Sequence, residues 1–90
     1  MKDDEFKLID KAFEKEYSMF AIRIGLKIGY YRRAADMTQL ELAEATGLSQ
    51  VYISQLEGKN SDYVPSLKAL LKISRALGVK PHKLIDVDDD

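Results

Sequence analysis

Residues 38–60 read T-Q-L-E-L-A-E-A-T-G-L-S-Q-V-Y-I-S-Q-L-E-G-K-N, and this stretch decides the fold of the 90-residue chain. Thr38 and Glu41 have the spacing of a capping box, in which each side chain satisfies a backbone N–H at a helix start. Gly47 is placed to end that helix, because glycine adopts a positive φ without steric cost. Ser49 is a suitable N-cap for a second helix. The stretch therefore predicts two short helices joined by a tight turn.

Apolar spacing separates the inward and outward positions of these two helices. We expect Leu40 and Ala43 of the first helix, and Ile53 and Leu56 of the second, to face the core. The outward residues of the second helix are polar or only partly covered, which suits a helix that binds in a groove of another molecule. They are Gln50, Val51, Tyr52, Ser54 and Gln55.

These residues resemble the helix-turn-helix regulators of the phage repressor and Cro type, the Xre family. The matching segments are Thr38-Gln39, Glu41-Leu42-Ala43, Gly47-Leu48-Ser49-Gln50, Ile53-Ser54-Gln55-Leu56-Glu57, Pro65-Ser66-Leu67 and Ala76-Leu77-Gly78-Val79. The resemblance implies an all-α, lambda-repressor-like DNA-binding domain, here a bundle of five or six helices. We expect this domain at residues 20–85, after an N-terminal helical extension at 1–19 and before an acidic tail at 86–90.

The resemblance also implies that double-stranded operator DNA is the partner and that the second helix lies in its major groove. Base reading then belongs to Gln50, Val51, Tyr52, Ser54 and Gln55. The glutamines are the best readers, because a carboxamide matches N6 and N7 of adenine. Tyr52 has the alternative of packing inside the domain.

Phosphate binding is predicted for Gln39, Arg32, Lys59 and Asn60. Gln39 stands at a helix start, where free N–H groups and the helix dipole favour an anion. Arg32 has an alternative, which is an ion pair with Glu57 or another carboxylate.

The first third of the chain is helical by pattern. Its apolar residues recur at steps of three and four: Phe6, Ile9, Phe13, Tyr17, Phe20, Ile24, Ile28 and Tyr31. Ser18 leaves open whether this is one helix or two. The apolar face of the extension could fold back onto the domain, form a dimer contact, or bind another protein. Gly25 and Gly29 are expected to let a neighbouring helix pack closely.

After the predicted motif, Ser66 marks the start of a fourth helix and Gly78 its end. Its expected buried stripe is Leu67, Leu70, Leu71, Ser74 and Leu77. Pro81 suits the first position of a last short helix.

The net charge of −1 conceals an uneven distribution along the chain. Residues 18–85 carry ten Lys and Arg against five Asp and Glu, whereas residues 1–17 and 86–90 are both acidic. The central segment is thus basic, as a DNA-binding surface requires.

Composition argues against several other functions. Cysteine is absent, His82 is the only histidine, and no apolar run approaches the ~20 residues of a membrane span. The sequence therefore predicts a cytoplasmic protein that is no enzyme and has no metal site and no cofactor. We expect a homodimeric DNA-binding repressor. The alternative is an antitoxin or adaptor that binds a protein partner through residues 1–20, with autoregulatory DNA binding.

Overall fold

Five helices form the regular structure of residues 2–59 and 63–86, which the computed structural model describes, with residues 2–9 described by their backbone. The helices are α1 (Lys2–Ala34), α2 (Gln39–Thr46), α3 (Gln50–Glu57), α4 (Leu67–Leu77) and α5 (Pro81–Ile85). No strand occurs among these residues. The all-α class is confirmed, with five helices in the described part of the chain.

The turn between α2 and α3 has the predicted capping chemistry. Thr38 Oγ1 accepts a hydrogen bond from the Glu41 amide at 3.0 Å, and Glu41 Oε1 accepts one from the Thr38 amide at 2.8 Å. Gly47 takes a φ of 76°, which is the left-handed conformation expected of a helix end. Ser49 Oγ then accepts from the Tyr52 amide at 3.0 Å and begins α3. The helix boundaries predicted for this motif are therefore confirmed.

A single core joins all five helices. Helix α1 packs against α3, α4 and α5, while α2 packs against α3 and α4. The most deeply buried side chains are at most 2% exposed. They are Ile28, Leu42, Ile53, Leu56, Ile73 and Leu84. The core therefore lies beneath the α2–α3 pair and holds both helices in place.

The expectation that Leu40 belongs to the core is wrong. Leu40 is 49% exposed, whereas Leu42 is fully buried and Ala43 and Thr46 are buried beside it. At 3.6 residues per turn, Leu40 lies about 110° from the centre of the face that these three residues define. The core face of α2 is therefore turned by one position from the predicted one.

The stripe predicted for α4 is only partly buried. Leu70, Ser74 and Leu77 face the core, but Leu67 and Leu71 are 72% and 46% exposed. Ala69 and Ile73 take their places in the interior. Because α4 packs against helices on two sides, its buried face is broader and turned relative to the predicted stripe.

Helix α1 is one continuous helix of 33 residues, with Ser18 in its interior. Its C-terminal half contributes Ile24 and Ile28 to the core. Its N-terminal half leaves the domain, so that Phe13, Tyr17 and Phe20 remain 55%, 45% and 42% exposed. Of the three possibilities for the apolar face of the extension, folding back onto the domain is therefore wrong.

Gly25 allows α1 to cross α3 at close range. A Cβ atom built on Gly25 would lie 2.1 Å from the backbone oxygen of Leu56, which no side chain tolerates. A Cβ on Gly29 would lie 3.2 Å from Glu57 Oε1. The prediction of close helix packing is therefore confirmed at Gly25, whereas the neighbours of Gly29 are side-chain atoms. Within the described residues, no helix combines the length and the apolar character needed to cross a membrane.

Candidate nucleic-acid interface

A shallow surface groove of about 300 Å³ lies between the start of α2 and the outer face of α3. It is lined by Gln39, Gln50, Val51, Ser54 and Gln55. Four of these residues were predicted to read bases, and Gln39 was predicted to bind phosphate. The tight turn at Gly47 folds α3 back against α2, which brings the two sets of side chains together.

The groove offers hydrogen bonding and apolar contact without charge. Three carboxamides and one hydroxyl supply both donors and acceptors. Val51, which is 66% exposed, adds two methyl groups at the surface. Such a mixture can distinguish base edges, because it pairs donors with acceptors and places a methyl group where a thymine methyl would pack.

Tyr52 is placed differently from the other predicted base readers. Its ring packs against the core, and its hydroxyl accepts a hydrogen bond from the Ser66 amide at 3.3 Å. It therefore occupies the alternative place that the sequence left open, and it braces α3 against the start of α4.

Arg32 likewise takes its alternative, an ion pair with Glu57. Arg32 Nε and Nη2 donate to the two carboxylate oxygens of Glu57 at 2.6 Å and 2.9 Å. Nη1 donates to the Met37 carbonyl at 2.7 Å. The Arg32 and Glu57 side chains are only 11% and 7% exposed, and the hydrogen bond to Glu57 raises the pKa of Arg32. The guanidinium thus ties α1 to α3 and to the loop before α2.

Two of the three remaining residues predicted to bind phosphate, Gln39 and Lys59, lie in the part of the chain that the structure describes. Gln39 is the first residue of α2 and lines the groove directly. Lys59 is exposed just after the end of α3. Asn60 lies outside the described residues.

Two lysines of α4, which the sequence did not assign to the DNA-binding surface, stand close to the start of α3. Lys68 and Lys72 line a second concavity of about 440 Å³ together with Ser49, Tyr52 and Ser66. Their spacing of four residues puts both on one face of α4. The sequence does show that these two lysines share one face of α4, because they lie four residues apart after the Ser66 cap. It does not show that this face lies beside α3, because that depends on how the helices pack.

The ionisable groups away from the groove do not meet the requirements of a metal site where the structure describes their side chains. Among the side chains that the structure describes, those of residues 10–59 and 63–86, no three His, Cys, Asp or Glu gather in a way that could hold a metal ion. His82 is exposed on α5. The hydrogen bonds from Thr38 lower the pKa of Glu41, which serves the α2 cap.

Comparison with known proteins adds to this geometry. Residues 28–84, more than half of the chain, match the Helix-turn-helix family. The HTH-type transcriptional regulator SinR of Bacillus subtilis is 38% identical over 63 residues, which are 70% of this chain and 56% of SinR. An HTH-type transcriptional regulator of Methanocaldococcus jannaschii is 38% identical over 64 residues, covering 71% of this chain and 94% of that protein.

A solved structure resembles the same part of the chain. The restriction-modification controller protein C.AhdI from Aeromonas hydrophila superposes with a TM-score of 0.65 at 28% identity. The likeness covers 71% of this chain and 94% of C.AhdI. The alignments with SinR proteins of two Bacillus species span 56% and 60% of their lengths.

Proposed function

Because the chain belongs to the Helix-turn-helix family, we propose that it binds duplex DNA sequence-specifically and regulates transcription. The observation that carries this proposal is the groove where Gln39 of α2 meets Gln50, Val51, Ser54 and Gln55 of α3. These side chains are accessible, uncharged and rich in paired donors and acceptors. The helices beneath them are capped and anchored in the core, so the reading surface is preformed.

In the proposed complex, α3 enters the major groove of DNA with its N-terminal residues at the base edges. The carboxamides of Gln50 and Gln55 pair with N6 and N7 of adenine. Val51 contacts a thymine methyl group, and Ser54 reaches a donor or an acceptor. Tyr52 supports α3 from behind through Ser66.

Phosphate contacts would set the position of the domain without reading sequence. Gln39 is the first residue of α2, so the free backbone N–H groups at this helix start would face the phosphates of one DNA strand. Lys59 and Asn60 follow α3, and Lys68 with Lys72 flanks its start. Arg32 supports this surface indirectly, since each of its three guanidinium nitrogens donates to Glu57 or Met37. The basic balance of residues 18–85 favours the encounter with DNA.

We further propose that the protein acts as a homodimer and a repressor in the cytoplasm. One recognition helix reads only a few base pairs, so two half-sites about 34 Å apart are the usual route to specificity. The exposed aromatic face of α1 (Phe13, Tyr17 and Phe20) is the candidate contact between two copies. Residues 1–19 would then form an assembly extension and residues 20–85 the DNA-binding domain.

The same exposed face supports a second candidate function. An antitoxin or adaptor would use residues 1–20 to bind a different protein, with autoregulatory DNA binding. The two candidates differ in the isolated protein, because a homodimer forms without a partner. Sedimentation of the purified protein at micromolar concentration distinguishes them.

Selection of binding sites from random duplex DNA tests the main proposal. We expect a two-fold symmetric sequence with half-sites about one helical turn apart. Gln50→Ala and Gln55→Ala should each cost about 1–3 kcal/mol of discrimination at one base pair. Lys83→Ala, on the exposed surface of α5, serves as the matched control. Unchanged base preference in both glutamine variants would contradict the assignment of the reading face.

A further inference from the structure

The carboxylate of Glu57 joins three helices at the edge of the groove. It belongs to α3, and it accepts two hydrogen bonds from Arg32 of α1. Its Oε1 accepts a third hydrogen bond from Gln39 Nε2 of α2, at 3.2 Å. Glu57 is only 7% exposed, so these contacts are formed away from bulk water.

Hydrogen-bond chemistry fixes the orientation of Gln39 at this junction. An ionised carboxylate only accepts, so the group that Gln39 turns towards Glu57 must be its NH2 group. The carbonyl oxygen Oε1 of Gln39 is on the opposite arm of the carboxamide and is turned away from Glu57. The Arg32 guanidinium holds the carboxylate through two hydrogen bonds, so the orientation of the anchor for Gln39 is itself set.

The same Gln39 side chain lines the groove beside Gln50 and Gln55. Without an anchor, a glutamine carboxamide could present either its oxygen or its NH2 group to a ligand. Anchored on Glu57, Gln39 presents its carbonyl oxygen and one remaining N–H in a single arrangement. The groove thereby gains a third carboxamide whose polarity is set before DNA arrives.

We propose that Glu57 is a positioning residue for DNA binding, which acts by orienting the Gln39 carboxamide in the groove. This inference rests on the proposed function. It assigns a DNA-binding role to an acidic side chain that never touches the negatively charged DNA. Glu57 acts through Gln39, and Arg32 keeps its carboxylate in place.

A double-mutant cycle on DNA affinity tests this role. Glu57→Gln keeps the size of the side chain but can donate as well as accept, so Gln39 is no longer held in one orientation. Glu44→Gln removes the same charge from an exposed position on α2 and controls for the general electrostatic gain. Each change is made in the wild-type protein and in Gln39→Ala, and affinity is measured for the selected site.

Gln39→Ala is expected to weaken binding about 3- to 10-fold, the value of one hydrogen bond. Relative to Glu44→Gln, Glu57→Gln should weaken binding about 2- to 5-fold in the wild-type protein and leave Gln39→Ala unchanged. Equal losses in both backgrounds would overturn the proposal, because Glu57 would then act only on the fold. An unaffected Gln39→Ala protein would overturn it as well.

A measurement on the wild-type protein keeps the proposal testable if Glu57→Gln fails to fold. The Nε2 protons of Gln39 should exchange with water more slowly in NMR spectra than those of Gln50, whose side chain is exposed. Equal exchange rates would refute the anchoring by Glu57. Failure of the wild-type protein to select any DNA site is a separate result, because it would refute the proposed function itself.

Discussion

Replacing Gly25 by alanine tests the close crossing of α1 over α3. The added Cβ would lie 2.1 Å from the Leu56 backbone oxygen and 3.2 Å from the Leu56 carbonyl carbon. To reach the roughly 3.3 Å at which a carbon and a carbonyl oxygen make contact, the atoms must separate by roughly 1 Å. The Cβ is bonded directly to the α1 backbone and the oxygen belongs to the α3 backbone, so neither can rotate away and the helices themselves have to move apart.

Two opposing effects set the size of the loss. Overpacking a well-packed interior costs about 1–3 kcal/mol, and a contact with backbone belongs at the upper end of this range. Alanine favours a helix interior over glycine by about 0.8–1.0 kcal/mol. The net loss in free energy of unfolding is therefore about 2 kcal/mol, a large share of the ~5–15 kcal/mol that stabilises a typical domain.

Urea unfolding followed by circular dichroism measures this difference. Gly29→Ala is the matched control on the same helix, since the atoms nearest to its Cβ would belong to side chains, with Arg33 Nη1 at 3.1 Å and Glu57 Oε1 at 3.2 Å. The Arg33 side chain can move aside, and the few tenths of an ångström needed at Glu57 are far less than the separation needed at Gly25. We therefore expect a change within about 1 kcal/mol, because the helix propensity offsets this smaller crowding. If Gly25→Ala is as stable as the wild-type protein, the close crossing described above is wrong.

Three further predictions concern the α2 cap, the DNA contact and the exposed face of α1. The pKa of Glu41 is lowered in the folded protein, so its contribution to stability is fully present above the ordinary glutamate pKa of about 4.3 and is lost as the pH falls through the lower folded pKa. Glu41→Gln should therefore reduce the pH dependence of the free energy of unfolding in acid titrations. Lys68→Ala should lower the slope of log affinity against log salt by about 0.9, while Lys83→Ala should leave it unchanged, and equal slopes for the two would exclude a phosphate contact at Lys68. Phe13→Glu combined with Phe20→Glu should give a monomer in sedimentation but retain affinity for a single half-site, whereas a dimer that survives both changes would place the interface elsewhere.

The signals that the sequence carries locally agree with the structure. Thr38, Ser49 and Ser66 cap helices, and Gly47 and Gly78 end them with positive φ. These outcomes depend on a few neighbouring residues, so spacing alone is sufficient to predict them. The end of α1 was harder to predict from the sequence, because the residue with a positive φ there is Asp36 (φ 58°) rather than a glycine.

Interactions between helices explain what the sequence could not specify. Leu40 and Leu42 are equally apolar, and only the packing of α2 against α3 and α4 decides that Leu42 is buried. The sequence offers several carboxylates that could pair with Arg32. The crossing of α1 over α3 brings Glu57 to it.

The same limit applies to the candidate site. The base readers predicted on α3 follow from helical spacing. Gln50, Val51, Ser54 and Gln55 line the groove as that spacing predicts, whereas Tyr52 packs against the core. The entry of Gln39 into their groove depends on the angle of the α2–α3 turn and on the anchor at Glu57. Which of these side chains contact DNA stays a prediction until the binding experiments are done.

The continuity of α1 has a consequence for the geometry of any assembly. Because no break separates Phe20 from the core residue Ile24, the exposed aromatic face and the reading helix keep a constant rotational phase. Inserting one residue between them would turn the aromatic face by about 100° and advance it by about 1.5 Å. Inserting seven residues, close to two full turns, would restore the direction but lengthen the arm by about 10 Å. In the proposed homodimer, the distance along α1 from the aromatic face to the core would therefore determine the spacing between half-sites that the two copies can reach.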